Sequence, residues 1–349
     1  MHKIYLILVL VILGGCIEPV DVPIEKQERL LMVDGLITDE PGPYIVKLNK
    51  SFYYGEYFGD AHPDVKNAIV TIFDDQGTIE VLSETFPGKY ETNKNGIRGR
   101  IGGSYQLKIR LKNGQEYISE PEVLKPVPAI DKLYTTFAQE HSLNEQNETI
   151  ITDVVRVLVD AKDPANEKNY YRWSSEGTYQ VFTQPEDYME KVRDVLVPRP
   201  KSCCPDCWLT DKNNLINVND DRQFNGKTLV GQPILQVPAT PRFFDIKYRV
   251  EVAQYSLSET AFNFWETIKL QSKGTGSVQD PAPANAVSNI KNISNGAEKV
   301  IGYFGASAVA RKALFITKQD IPIQIPKFIY PDDCRTMPLS TTERPAFWQ

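Results

Sequence analysis

The residues able to do chemistry in this 349-residue chain are unevenly supplied, and cysteine is the most informative of them. Beyond Cys16, the thiols are Cys203, Cys204, Cys207 and Cys334. An even count in an exported chain points to two disulfides. Three pairings are open. A Cys203–Cys204 bridge needs a strained vicinal ring, so one local bond and one long bond to Cys334 are favoured. A bond closing a loop of about 100 residues contributes roughly 4–5 kcal/mol in the chain-entropy treatment. Two other chemistries use this spacing. Cys204-Pro205-Asp206-Cys207 has the Cys-x-x-Cys form of a zinc knuckle, but a second pair is missing and only the distant Cys334 remains. A thioredoxin-like redox pair requires a surrounding βαβ pattern, which is not visible here. The expectation is structural disulfides, with no metal and no cofactor.

Other reactive groups are thin. Of three histidines, His2 lies in a leader, while His62 and His141 sit in polar, loop-like surroundings. The glycine runs at residues 99–103 and 274–276 lack the strand-before, helix-after context of a phosphate cradle. No Gly-x-Ser-x-Gly elbow or His-Glu-x-x-His pair occurs. Carboxylates are plentiful, but sequence alone cannot bring two of them face to face. The chain therefore reads as noncatalytic. Its net charge of −6 and lack of a Lys/Arg cluster argue against nucleic acid. The 41% hydrophobic and 24% charged residues are those of an ordinary globular protein.

Cys16 belongs to a different chemistry. A short basic start precedes an apolar run over residues 4–13, then Leu13-Gly14-Gly15-Cys16. The run is shorter than the roughly 20 residues that span a bilayer and matches a signal-peptide core. This tetrapeptide resembles the bacterial lipobox, an aliphatic residue and two small ones that let the peptidase approach, then the thiol that takes the lipid. Residues 1–15 are thus expected to be a signal peptide and Cys16 the lipidated first residue of the mature chain. Residues 16–28, with their prolines and charges, read as a tether. Its acids Glu18 and Asp21 resemble the acidic export signals of surface-exposed lipoproteins of the Bacteroidota, a resemblance that implies a cell-surface location on the outer membrane.

Two stretches are candidates for recognition. Phe52, Tyr53, Tyr54, Tyr57 and Phe58 crowd a glycine-punctuated segment and could stack on sugars or anchor a protein interface, or else pack on a sheet edge. The tail Pro345-Ala346-Phe347-Trp348-Gln349 is either a docking element or a plug for its own domain.

The elements that must position these groups are mainly strands. Residues 30–37, 44–48, 68–73, 79–82 and 105–111 are strand candidates, the last with clean alternation. Asp74-Asp75-Gln76-Gly77 and Asn113-Gly114 supply hairpin turns. We expect an immunoglobulin-like or transthyretin-like β-sandwich over residues 29–120 and a proline-rich linker over 121–128. A larger β-rich domain with one or two short helices would then fill 129–349. In it, residues 154–160 and 170–173 look like paired strands, and so do residues 246–252 and 313–316. Ser256-Leu257-Ser258-Glu259 has capping-box spacing, with Ser256 as the cap. Ala261, Phe262, Trp265 and Ile268 then share one helical face, and Gly274-Thr275-Gly276 ends the helix.

The order of motifs after that cap carries a family resemblance. Leu257-Ser258-Glu259-Thr260-Ala261-Phe262-Asn263-Phe264-Trp265 leads to Gly276-Ser277-Val278-Gln279-Asp280-Pro281, then to Asn289-Ile290-Lys291-Asn292. Val300-Ile301-Gly302-Tyr303-Phe304-Gly305-Ala306-Ser307 follows. With Cys207-Trp208 and the lipidated start, this resembles the Bacteroidota outer-membrane lipoproteins catalogued as domain of unknown function 4249. The resemblance implies a partner of TonB-dependent outer-membrane receptors and no established catalytic residues. The reading is a noncatalytic accessory lipoprotein of such a β-barrel; the alternative is an independent surface protein binding glycans or proteins. The Gly302–Ser307 block reads as structural, its glycines allowing close packing beside large aromatics.

Overall fold

The computed structural model describes residues 29–52, 63–144, 146–165, 167–272 and 286–348. The expected signal peptide, Cys16, the tether and Gly274-Thr275-Gly276 lie outside the described residues. The strands of the first part are β1 (Leu31–Thr38), β2 (Ile45–Lys50), β3 (Ile69–Asp74), β4 (Ile79–Val81), β5 (Ser83–Phe86), β6 (Lys89–Glu91), β7 (Ser104–Arg110), β8 (Glu116–Ser119) and β9 (Glu122–Val123). Next come β10 (Ile130–Leu143), β11 (Thr149–Lys162), β12 (Tyr170–Phe182), β13 (Met189–Val192), β14 (Val195–Pro198), β15 (Asp206–Lys212), β16 (Asn217–Asp220) and β17 (Thr228–Pro238). Helix α1 (Pro241–Phe244), β18 (Lys247–Ser256), helix α2 (Glu259–Ser272), β19 (Ile290–Asn292), β20 (Val300–Ser307), β21 (Val309–Thr317) and β22 (Ser340–Thr341) complete the order. The protein is mainly β.

Alternation explains the first core. In β7, Tyr105, Leu107 and Ile109 are fully buried while the residues between them face outward. They meet Leu31 and Val33 of β1 and Val46 and Leu48 of β2 across a single apolar cluster. The turns follow the side chains. Asp74 Oδ1 accepts from the amides of Gln76 and Thr78, closing the β3–β4 hairpin, and Gly114 turns β7 into β8 with a φ of 88°.

The expected boundary between residues 29–120 and 129–349 does not describe this core. β20 pairs in parallel with β1 along its whole length, and β19 pairs with β8. Phe304 and Ile290 are buried in the first cluster. The first core is therefore completed by strands from late in the chain. The pairing needs a glycine at 302, whose φ of 104° and lack of a side chain allow Val33 O to lie where a Cβ would fall, at 1.8 Å. Residues 121–128 are not a free linker either. Glu122 and Leu124 are buried, β9 pairs with β7, and the carbonyls of Lys125 and Pro128 accept from Ser256 Oγ and Gln254 Nε2.

The second core lies between two further sheets, β10-β11-β17 and β21-β18-β12-β15-β22. Residues 154–160 and 170–173 are strands, but they do not pair with each other. β11 is flanked by β10 and β17, and β12 by β18 on one edge and β15 and β16 on the other. With both edges taken, the two strands meet only through side chains such as Val157, Val159, Tyr171 and Trp173 in the shared core. Trp173 donates its indole N–H to Gln254 Oε1 at 2.8 Å.

Two disulfides are formed. Cys207 bonds Cys334 over a separation of 127 residues, the long bond expected from the sequence. The local bond joins Cys203 to Cys204, the vicinal pairing that spacing disfavoured. Cys207 is a fully buried residue of β15, held opposite Val181, and the buried Cys334 packs into the same core. With Cys207 committed to Cys334, the adjacent pair is what remains. The C-terminal tail is a plug: Trp348 is buried against Phe315 and donates to Gln180 Oε1 at 3.1 Å.

Helix α2 starts two residues later than the capping-box spacing indicated. Ser258 Oγ accepts from Ala261 N at 3.0 Å and so fills the cap, leaving Glu259 as the first helical residue. Ser256 is used elsewhere, its hydroxyl donating to Lys125 O and accepting from Ala308 N. No helix among the described residues is long and apolar enough to cross a membrane.

Candidate functional site

Helix α2 lies over the outer face of β1 and β20 and forms a third, smaller apolar cluster with Val218, Leu257 and Tyr303. Ala261, Phe262 and Phe264 are buried, with Phe262 against Tyr170 and Phe264 against Tyr303. Trp265 and Ile268, which the helical stripe assigned to packing, are only partly buried. They roof an apolar cleft of about 270 Å³. Its floor is the outward face that alternation leaves on β1, β2 and β20: Met32, Asp34, Asn49, Ile301 and Tyr303.

At one end, sharing Asp34, Trp265 and Tyr303, is a smaller recess of about 30 Å³ that contains Arg172 and Tyr255. Arg172 comes from β12, on the outward side between the inward-facing Tyr171 and Trp173. Its guanidinium carbon stands 3.9 Å from the Trp265 ring centre and 5.8 Å from that of Tyr255. Burial pushes its pKa down, and the phenol of Tyr255 and the carboxylate of Asp34 act in the opposite direction. Among the described residues the guanidinium is held by rings, with no hydrogen-bond acceptor and no ion pair.

Behind the cleft is a second buried group. Glu122, 3% exposed, accepts from the Tyr303 hydroxyl and from Thr260 Oγ1 at the start of α2, while its Oε2 has no partner among the described residues. Burial is the main cause of its raised pKa, which the hydrogen bond from Tyr303 opposes. The same burial, with the Glu122 charge nearby, raises the pKa of Tyr303.

A separate surface feature is the hairpin of β10 and β11. The third strand, β17, reaches only as far as Val154, paired with Pro238. Ala239 N still donates to Asp153 O, and beyond that rung the two strands continue alone, from Glu140 opposite Thr152 to Leu143 opposite Thr149. These rungs extend about 10 Å at the usual strand rise. Leu143, Ile150 and Ile151 on this arm are 66%, 45% and 55% exposed. Glu140 clamps its base, bonded by Arg156 and by Gln236 Nε2. The short β13–β14 hairpin also exposes Val195 and Leu196.

The aromatic segment read from the sequence is reached only at its start. Phe52 follows β2 and is 38% exposed, apart from the residues lining the cleft; Tyr53, Tyr54, Tyr57 and Phe58 lie outside the described residues. Sequence reasoning did not single out Arg172, Trp265 as a cleft wall, or Glu122. The available signal was a lone arginine between two aromatics in an otherwise core-forming strand. Among the described residues, no three His, Cys, Asp or Glu side chains converge to hold a metal ion.

Fold and surface together define a β-rich protein with two large apolar cores and a smaller third one under α2, a projecting arm and an aromatic–arginine cleft beside that third cluster. The chain belongs to the family described as "Domain of unknown function (DUF4249)", whose profile matches residues 17–313. No curated protein matches it.

Proposed function

We propose that this chain is a noncatalytic accessory subunit of an outer-membrane β-barrel of the TonB-dependent receptor type. In this reading a lipid on Cys16 anchors it at the cell surface, as in lipoproteins of the Bacteroidota. Its first core then serves as an immunoglobulin-like or transthyretin-like module that places the rest of the chain.

The observation that carries the proposal is the β10–β11 arm. A two-stranded ribbon is marginal on its own in water, and exposed apolar side chains gathered at one place mark contact surfaces. An arm whose outer rungs lack a third strand yet present Leu143, Ile150 and Ile151 is suited to be completed by a partner. The test is extraction of native membranes in mild detergent with the tagged chain. A β-barrel should co-purify with the wild type and be lost with Ile150→Lys/Ile151→Lys. Recovery of the wild type as a free monomer after gentle cross-linking would sink the reading. The alternative, a surface protein that binds a ligand by itself, is favoured by the cleft of Arg172, Trp265 and Tyr303.

A further inference from the structure

The geometry points to the cleft beneath α2 as a binding site for a carboxylate carried on a small apolar group, with Arg172 as its anion receptor. The inference is independent of docking through the arm, which lies on another part of the surface.

Arginine presents five N–H donors in a plane and cannot lose its charge in a protein. Here the flat face of Arg172 is occupied by Trp265 at 3.9 Å, which leaves the in-plane donors as the part still to be satisfied. A cation partly withdrawn from water with no ion pair is costly, and stacking with the longer-range pull of the Asp34 carboxylate offsets only part of that cost. The recess beside it holds about 30 Å³, room for a pair of oxygens and little more. A planar carboxylate matches the arginine fork bidentately. Asp34 on the rim sets the limit on charge, since a dianion would meet its carboxylate.

The adjoining space fixes the other half of the ligand. The cleft of about 270 Å³ is walled by Phe264, Trp265, Ile268, Met32 and Ile301, with Asp34, Lys47 and Asn49 along its floor, and the mainly apolar wall suits a phenyl or branched aliphatic group. A ligand with its carboxylate at Arg172 and its apolar group under Ile268 would fill both spaces. Such chemistry has two sources, a free small acid or the last residue of a peptide.

The test uses the full chain in a nonionic detergent, with calorimetric titration of phenylacetate and of its neutral isostere phenylacetamide. Phenylacetate should bind at least tenfold more tightly, the lower end of what hydrogen bonds to a charged group supply. Arg172→Met should erase the preference, so that acid and amide bind alike, while Trp265→Leu should weaken both. A peptide ending Gly-Gly-Phe, with free or amidated carboxyl terminus, distinguishes the sources: tighter binding of the free-acid peptide than of phenylacetate assigns the peptide end, and the reverse assigns the small acid. Absence of phenylacetate binding at millimolar concentration, or equal binding of acid and amide to the wild type, overturns the inference. That comparison needs no variant, so a misfolded Arg172→Met leaves it intact. Loss of the barrel partner on changing the arm leaves this binding unchanged, so the two readings fail separately.

Discussion

Removing the Cys207–Cys334 bond should be among the most damaging changes this chain can suffer. The bond closes a separation of 127 residues and ties β15 to the segment that carries β22 and the Trp348 plug. In the chain-entropy treatment, a loop of that length restricts the unfolded state by about 16–17 cal/mol/K, or about 5 kcal/mol at 25 °C. That is comparable to the whole stability of many domains. Both cysteines are fully buried, so a Cys207→Ala/Cys334→Ala variant also loses sulfur packing in the second core. The assay is guanidinium denaturation followed by tryptophan fluorescence. The midpoint should fall sharply, and the slope should rise because an uncrosslinked unfolded chain exposes more surface. The pair Cys203→Ala/Cys204→Ala provides the internal comparison, since a bond between neighbours in sequence restricts almost no loop. A loss below about 1 kcal/mol for the long bond, or equal losses for the two pairs, would refute the reasoning.

Gly302→Ala should cost at least about 2 kcal/mol, because a left-handed alanine is itself unfavourable by roughly 1–2 kcal/mol and its Cβ would strike the Val33 carbonyl; thermal unfolding checks this, and an unchanged midpoint contradicts it. The raised pKa of Glu122 means that the folded state holds its proton more tightly than the unfolded state. Its contribution is therefore fully present below the ordinary carboxylate range and is lost as pH rises through the folded pKa. Glu122→Gln should accordingly gain on the wild type as pH rises from 4.5 towards 8 in parallel melting curves; a constant difference would count against this. Ile150→Lys/Ile151→Lys, on half-exposed positions, should leave unfolding within about 0.5 kcal/mol of wild type; a larger loss would mean that the arm packs on its own chain.

Strands were legible in the first part of the chain, where alternation is clean, whereas β10 and β13–β17 were not read. Tyr105, Leu107 and Ile109 alternate because β7 has a single buried side, and Asp74 and Gly114 announce their turns through local bonds and φ. Pairing between distant strands was not legible. Nothing local to Leu31–Thr38 reports that its parallel neighbour is Val300–Ser307, and this is why a boundary drawn at residue 121 cut through a core. The cap shifted from Ser256 to Ser258 because tertiary partners, Lys125 and Ala308, claimed the first hydroxyl. The cleft was hidden for a related reason. Trp265 and Ile268 have the spacing of a core stripe, and only the placement of α2 over an already closed sheet leaves them open, facing an arginine from a strand nearly a hundred residues earlier.

The central claim is that the arm docks on a β-barrel, and purification from the native membrane tests it most directly. With the tagged wild type in mild detergent, a β-barrel should co-elute in fixed proportion, and Ile150→Lys/Ile151→Lys should elute alone while remaining folded. A wild type that elutes alone, or a variant that retains the barrel undiminished, would contradict the account.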